Sequence, residues 1–353
     1  MERVEYAFLQ CDRLLEVDNR SILPVTLDGT SKFGGVARNA KNVFSIGVGH
    51  SNLFTTEDGI WCYEDENSVI LLDYLGENSD VVLPDTINQK PCELIEYSFS
   101  NANNIESLTV SGVIKDIPSF CFTAMEELTE LKLEEGIESV GGGSFTGNNL
   151  SVLRLPSSLV SVKGGSFGSN IQKIEVADNN PIFMSAGNCL IDKQSKALVR
   201  GFVSSVIPSD GCVEIIGENA FANLKELKEL SIPSAVRKIE VRAFYNTGLN
   251  DVTFSKGLES IGAEAFAYCK NLTEVSLPDT LKEIYVSAFI NSPIEKIIFL
   301  ETTNWMIKRH PDEVTGDAAE ANKLADPLQA AVYFDETAKY YANISTVALW
   351  VRI

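Results

Sequence analysis

Residues Leu258 to Phe289 read LESIGAEAFAYCKNLTEVSLPDTLKEIYVSAF, and inside this stretch one pattern occurs twice. An apolar pair at i, i+3 (Leu258/Ile261, then Leu281/Ile284) leads to a small residue followed by phenylalanine (Ala265-Phe266, then Ala288-Phe289). Between the two copies lies L-x-x-L-x-L-P, here Leu272, Val275, Leu277 and Pro278. Alternate apolar residues place one side of a short strand in the core. The proline cannot donate to a ladder and favours a turn.

The same frame extends outward in both directions. Small-residue–Phe dipeptides fall at Phe99, Phe122, Phe145 and Phe167, then at Phe221, Phe244, Phe266 and Phe289, spaced 23, 23, 22, 54, 23, 22 and 23 residues apart. Ala7-Phe8 adds a copy near the start. The strand frame recurs at Leu128/Leu131/Leu133, Leu150/Leu153/Leu155 and Leu227/Leu230/Ile232. A unit this short cannot bury its own apolar face, so successive units must stack, with strands adding at roughly 4.8 Å per turn into a parallel sheet. The eight phenylalanines are then expected to form a buried spine, each ring touching the ring one turn away. The fold class is a repeat solenoid, mostly β, with a parallel sheet.

The frame I-x-x-I-x-x-x-A-F-x-x-C-x-x-L-x-x-L-x-L-P, seen best in Leu258 to Phe289, resembles the BspA-like leucine-rich repeat family, bacterial and protozoan surface proteins with repeats of this length. The resemblance covers about Val4 to Phe299. It implies a right-handed leucine-rich-repeat α/β solenoid, a non-enzymatic role in adhesion or surface display, and partners such as host extracellular-matrix proteins. It specifies the fold far more closely than the function, because repeat frames are shared by proteins that bind different things.

Two segments break the frame. Between Val176 and Val206, CLID and ALVRGF flank the polar turn Lys193 to Lys196, which reads as a β-hairpin near 186–203, protruding from or extending the solenoid. Near 55–76, TTEDGIWCYEDENSVILLDYLG reads as strand, acidic turn, strand. Asp18 to Asn42 reads as a loop excursion. The expected division is a solenoid over 1–300 and a closing segment over 301–353, where Ala318 to Ala331 reads as helix interrupted by Pro327 and Val347 to Ile353 as strand. A solenoid needs a lid on its last apolar layer. At the other end the frame is running by Val4, so either the chain is a piece of a longer protein or the excursion covers the first turn.

Composition narrows the function. With 49 acids against 29 bases, a formal charge of −20 repels phosphate backbones and anionic lipid headgroups, so nucleic acid is not an expected partner. No apolar run is long enough to span a bilayer, and the first thirty residues lack the apolar core of a signal peptide. Seven dispersed cysteines without a C-x-x-C pair read as small buried hydrophobes, and two histidines make a His-rich metal site untenable.

Candidate chemistry is thin. Gly164-Gly165-Ser166-Phe167-Gly168 matches the G-x-S-x-G of hydrolase elbows, but Ser166 fills the small-residue slot of the repeat and has no recognisable histidine partner. The run Gly141 to Gly147 resembles a phosphate cradle without the P-loop lysine. Asp178-Asn179-Asn180 and Glu64 to Asn67 offer oxygen ligands without EF-hand spacing. Asn149 and Asn271 begin glycosylation sequons that the repeat frame itself generates. No cofactor and no catalytic residue are expected.

The one site the residues motivate lies between the inward positions of the strand frame. The outward pairs are Glu229/Ser231, Asp251/Thr253 and Glu274/Ser276, followed by Lys296/Ile298. Three acids beside three hydroxyls form a candidate strip for a basic partner segment or a divalent cation. In the first half, Glu130/Lys132, Val152/Arg154 and Lys173/Glu175 mix both signs. The leading expectation is a protein- or glycan-binding module at the cell surface or secreted. The alternative is an intracellular, cytoplasmic scaffold, favoured by unpaired cysteines. An enzyme site in the non-repeat segments is a third, weaker option.

Overall fold

Each repeat contributes two short strands and one tight bend, and the stacked repeats make a β-solenoid. The computed structural model describes residues 15–19, 42–45, 51–308, 310, 317–342 and 349–352; the Ala7-Phe8 copy and most of the Asp18–Asn42 excursion lie outside them. The L-x-L segments form parallel strands: Asp80–Val82, Ser107–Val110 and Glu130–Leu133 in one group, Val152–Leu155 with Lys173–Val176, Glu229–Ile232 with Asp251–Phe254, and Glu274–Leu277 with Lys296–Phe299. In strands such as Glu229–Ile232 and Glu274–Leu277, burial alternates strictly, with charged or hydroxyl residues out and leucine, isoleucine or valine in. The second member of each i, i+3 pair lies on the second strand, a short parallel piece such as Lys238–Ile239 or Ser260–Ile261.

The spine rings are buried, from 0% exposed at Phe266 to 5% at Phe289. They stack in two runs of four. Centroids are 5.8, 5.4 and 6.0 Å apart from Phe99 through Phe167. They are 5.1, 4.9 and 5.3 Å apart from Phe221 through Phe289. Such pairs contribute about 0.5–1.5 kcal/mol each beyond the area they bury.

The bend around each spine phenylalanine has an unusual backbone. Residues two before it (Tyr97, Phe120, Gly143, Gly165, Asn219, Arg242, Glu264) have φ between 54° and 74°. Most residues two after it (Asn101, Ala124, Gly147, Asn223, Asn246, Tyr268, Asn291) do too, between 55° and 71°. Left-handed backbone is costly for side chains such as Phe, Arg and Glu. It is offset by a one-way ladder, in which the spine N–H donates to the carbonyl preceding the next spine residue. Phe122 reaches Ser144 O at 3.0 Å, and Phe221, Phe244 and Phe266 reach Ala243, Ala265 and Ala288 O at 2.7 Å each.

Phe167 does not touch Phe221, which corrects the expectation of an unbroken spine. The segment Phe183–Ala186, Cys189–Asp192 and Ala197–Arg200 is a three-stranded antiparallel meander, one strand more than the expected hairpin. It extends the solenoid instead of protruding, because Ala197–Arg200 pairs in parallel with Ile215–Ile216 and opens a ten-stranded sheet. Gly201 takes the spine slot here. Its N–H donates to Ala220 O at 2.9 Å, and a Cβ on it would lie 2.1 Å from the Phe221 ring.

Arg200 is the cost of that seam. It is 4% exposed and lies 5.8 Å over the Phe202 ring. Its guanidinium donates to Phe167 O at 3.1 Å and to the carbonyls of Asn219, Ala220 and Ala222 at 3.3 to 3.4 Å. In other turns the carbonyls flanking the spine phenylalanine accept from the preceding turn. At Phe221 the Gly201 N–H still reaches Ala220 O, and Arg200 stands in for the donor missing at Ala222 O, while its Nε has no partner among the described residues.

At the start, Leu53–Thr55, Ile60–Glu64 and Val69–Tyr74 form an antiparallel meander whose last strand pairs in parallel with Lys90–Leu94. At the other end, Trp305–Lys308 and Leu349–Arg352 run antiparallel, and the latter pairs with Glu283–Tyr285. The helical stretch is interrupted as expected: a short helix Ala321–Leu324 ends just before Pro327, which begins a second, Pro327–Ala342. Proline suits the first helical position, where its missing N–H is not needed. Asp326 Oδ1 accepts from the N–H groups of Leu328 and Gln329 at 2.9 and 3.2 Å and caps the turn. Phe334 on this helix packs edge-on against Phe289 at 6.0 Å and stacks with Trp350 at 5.3 Å, so the tail continues the aromatic spine.

Candidate functional site

The outward residues of the strand frame lie where the alternation puts them. Glu229, Ser231, Asp251, Thr253, Glu274 and Ser276 are all exposed. Glu229 is in register with Asp251, and Ser231 with Thr253. Glu274 does not continue this pairing. Its strand pairs with Lys296–Phe299, opposite Lys296, whose Nζ lies 3.3 Å from the Glu274 carboxylate. The strip is therefore two facing acids plus a third already met by a cation.

Elsewhere on the surface, several acids meet cations. Arg154 meets Glu175 at 2.9 Å, Lys115 meets Glu138 at 2.7 Å, and Arg242 meets Glu264 at 2.8 Å. Arg237 and Lys282 both reach Glu259, at 3.0 and 2.7 Å, tying three turns together. The Lys282 hydrogen bond holds the Glu259 carboxyl below its ordinary value, and the Lys173 hydrogen bond does the same for Glu175. Among the described residues, neither Glu229 nor Asp251 has an ion-pair partner. Beyond Glu274, a depression of about 500 Å³ is lined by Lys296 and Ile298 and by Asp326 to Leu328 of the tail.

The other candidate motifs have structural work. Ser166 is buried and its hydroxyl donates to Lys163 O; Ser144 donates to Pro118 O and Gly141 O at 2.7 Å each. Asn180 is buried, donates to Pro156 O and Leu159 O, and accepts from Ile182 and Phe183 N–H. Glu64 pairs with Lys90 at 2.8 Å. The amides of Asn149 and Asn271 bridge back to Glu126 O and Gly248 O in the preceding turn. Among the described residues, no group of three or more His, Cys, Asp or Glu side chains is placed to hold a metal ion.

Cys62, Cys92, Cys121, Cys189 and Cys269 are buried thiols, and Cys212 is half-buried. Burial pushes Cys62 up to about 12 and Cys92 and Cys189 to about 11. No helix among the described residues is long and apolar enough to cross a membrane. Arg200 was the feature hardest to anticipate. Its one signal is that it shares the inward side of Ala197–Arg200 with Leu198, a slot where a cation is out of place.

A family model of the BspA-type leucine-rich repeat region matches the chain in six copies, over residues 86–186 and 201–308. None of the curated proteins matches it in sequence. Among solved structures, the pneumococcal vaccine antigen PcpA is similar at 16% identity and a TM-score of 0.49, covering 72% of this chain and 83% of that one. A leucine-rich cell surface protein of Faecalibacterium prausnitzii is similar at 17% identity and a TM-score of 0.40, covering 71% of this chain and 89% of that one. The leucine-rich repeat protein of T. pallidum is similar at 20% identity and a TM-score of 0.34, covering 65% and 88%.

Proposed function

The chain belongs to the BspA-type leucine-rich repeat family, and from that premise we propose that this recognition module binds a protein partner at the cell surface through the outward residues of its L-x-L strands. The observation that supports this reading is the Glu229–Asp251 pair. Like charges on adjacent strands oppose folding by some tenths of a kcal/mol. Acids at other positions in the neighbouring turns, Glu259 and Glu264, are met by arginine, whereas this facing pair is left open beside the hydroxyls of Ser231 and Thr253. A lysine- or arginine-rich segment of a partner is the complement such a surface fits. The binding surface then belongs to residues 1–300, and 301–353 close the stack. No step of catalysis is assigned to any residue.

The test is binding of a lysine-rich peptide by the variant Glu229→Gln/Asp251→Gln/Glu274→Gln. A control of equal charge, Glu57→Gln/Glu77→Gln/Glu106→Gln, carries its changes at exposed acids away from the strip. The strip variant is expected to lose clearly more affinity than the control. Equal losses would reduce the effect to net charge and remove the strip as the site. A glycan partner would instead show as array binding indifferent to both variants.

A second reading, an intracellular scaffold, is favoured by one observation: all six described cysteines are free thiols. Proteolysis of intact cells separates the two, since only a surface protein is cleaved.

A further inference from the structure

The seam between the two runs of the spine holds a cavity of about 570 Å³. Gly142, Gly143, Gly164 and Gly165 line one side, with Arg200 and Asn219 on the other. Gly165 leaves bare main chain facing the space, where a Cβ would meet nothing within 4 Å, whereas the Phe120 ring covers Gly143 and the Glu218 carbonyl lies close to Gly164. Gly143 and Gly165 both have left-handed backbone, φ 71° and 74°. Alternation of right- and left-handed residues turns successive N–H groups the same way, the arrangement that cradles anions in backbone nests.

Here the one-way ladder runs out. The spine N–H groups of Phe122 and Phe145 donate to the next turn, but those of Gly165, Phe167 and Ser169 meet no acceptor among the described residues. The row of donors is thus open at the seam. Across it sits Arg200, buried with no carboxylate beside it among the described residues and its Nε orphaned. Its contacts are to neutral carbonyls, so its charge is uncompensated; burial lowers its pKa to about 10. A buried cation without a counter-ion is expensive, and a ligand that supplies the negative charge recovers that cost. Glu218, the acid next to Asn219, is exposed and accepts a hydrogen bond from the Asn219 side chain at 3.3 Å.

We propose that the seam cavity is a binding site for the carboxylate or phosphate group of a small ligand, held by the open N–H row of the 164–169 bend and the Arg200 guanidinium. The space exceeds what a bare ion needs and admits a sugar-sized body behind the anionic group. The site is independent of the Glu229–Asp251 surface and takes a ligand of the opposite charge.

Protein labelled with ¹⁵N at glycine is titrated with acetate, phosphate and glucuronate at constant ionic strength, and the amide resonances of Gly164 and Gly165 are followed. Saturable shifts confined to the seam glycines are expected with at least one anion. Glucuronate binding tighter than acetate identifies an acidic sugar, whereas phosphate binding tightest identifies a phosphorylated group. Gly165→Asn fills the cavity while keeping a backbone that Asn219 adopts at the equivalent position. It is expected to weaken binding at least tenfold, read by calorimetry, at an unchanged melting temperature. Absence of saturable shifts with all three anions, or equal affinity in Gly165→Asn, would overturn the proposal.

Discussion

A phenylalanine recurring every 22 or 23 residues is legible because its slot accepts little else: the ring fills the space between turns, and the residue before it must be small. Truncating Phe266, which stacks on Phe244 and Phe289 and meets Phe254 edge-on at 5.8 Å, is expected to cost about 3–5 kcal/mol in chemical denaturation. The left-handed residues two positions before each ring were not legible. Tyr97, Phe120, Arg242 and Glu264 carry no glycine or asparagine signature, because ladder bonding and not intrinsic preference holds them there. Arg200 escaped for a related reason: its partners are carbonyls exposed by a break in the stack, which no spacing of residue types encodes. The thiols make a pH prediction. Desolvation raises Cys62, Cys92 and Cys189 in the folded state above the roughly 8.5 of an unfolded thiol. Above that pH the unfolded chain releases protons that the folded chain keeps, so stability falls as pH rises from about 8.5 toward 11. Melting temperatures across this window should drop, and less steeply in Cys62→Ala. An unchanged slope would assign the alkaline loss to other groups.

At the scale of elements, the meanders announced themselves through alternation and polar turns, but their attachment did not. Ala197–Arg200 is antiparallel to one neighbour and parallel to the next, and so converts a hairpin into the first layer of the second half. A strand's sequence shows which face is buried and is silent about which edge is used. The break at Pro327 is legible, but that the helix restarts there is not, because proline both ends a helix interior and suits a first turn, and the difference lies in whether Asp326 caps. The tail's role is tested by removing 301–353. Leu349–Arg352 covers the edge of Glu283–Tyr285, while Phe334 and Trp350 cover Phe289 and Phe299. The truncated chain is expected to aggregate through that edge, seen as loss of the monomer peak in light scattering. A monomer with the parent melting temperature would free the tail from this role and move attention to it as a binding element.

For the whole molecule, charge is both burden and instrument. Converting Glu229, Asp251 and Glu274 to glutamine is expected to raise the melting temperature modestly at low salt, with the gain vanishing as salt screens the strip. The Glu274 change alone should yield no gain, since it also removes the contact with Lys296. The position of the strip was readable from strand alternation; its shortening to one open pair was not, because it depends on which strands hydrogen-bond. Inside a run, each turn offers its successor the donors that it found acceptors for in its predecessor's place. Phe244 meets Ala265 O as Phe266 meets Ala288 O, both at 2.7 Å. Such turns are interchangeable parts. Unequal recombination that drops or doubles one 22- or 23-residue unit within Phe221 to Phe289 rejoins matching ends, whereas the same event across Arg200 leaves mismatched ones. Loss or gain of one unit within either run is expected to leave a folded chain, whereas a change across the seam is expected to unfold it, which melting of the corresponding variants would show.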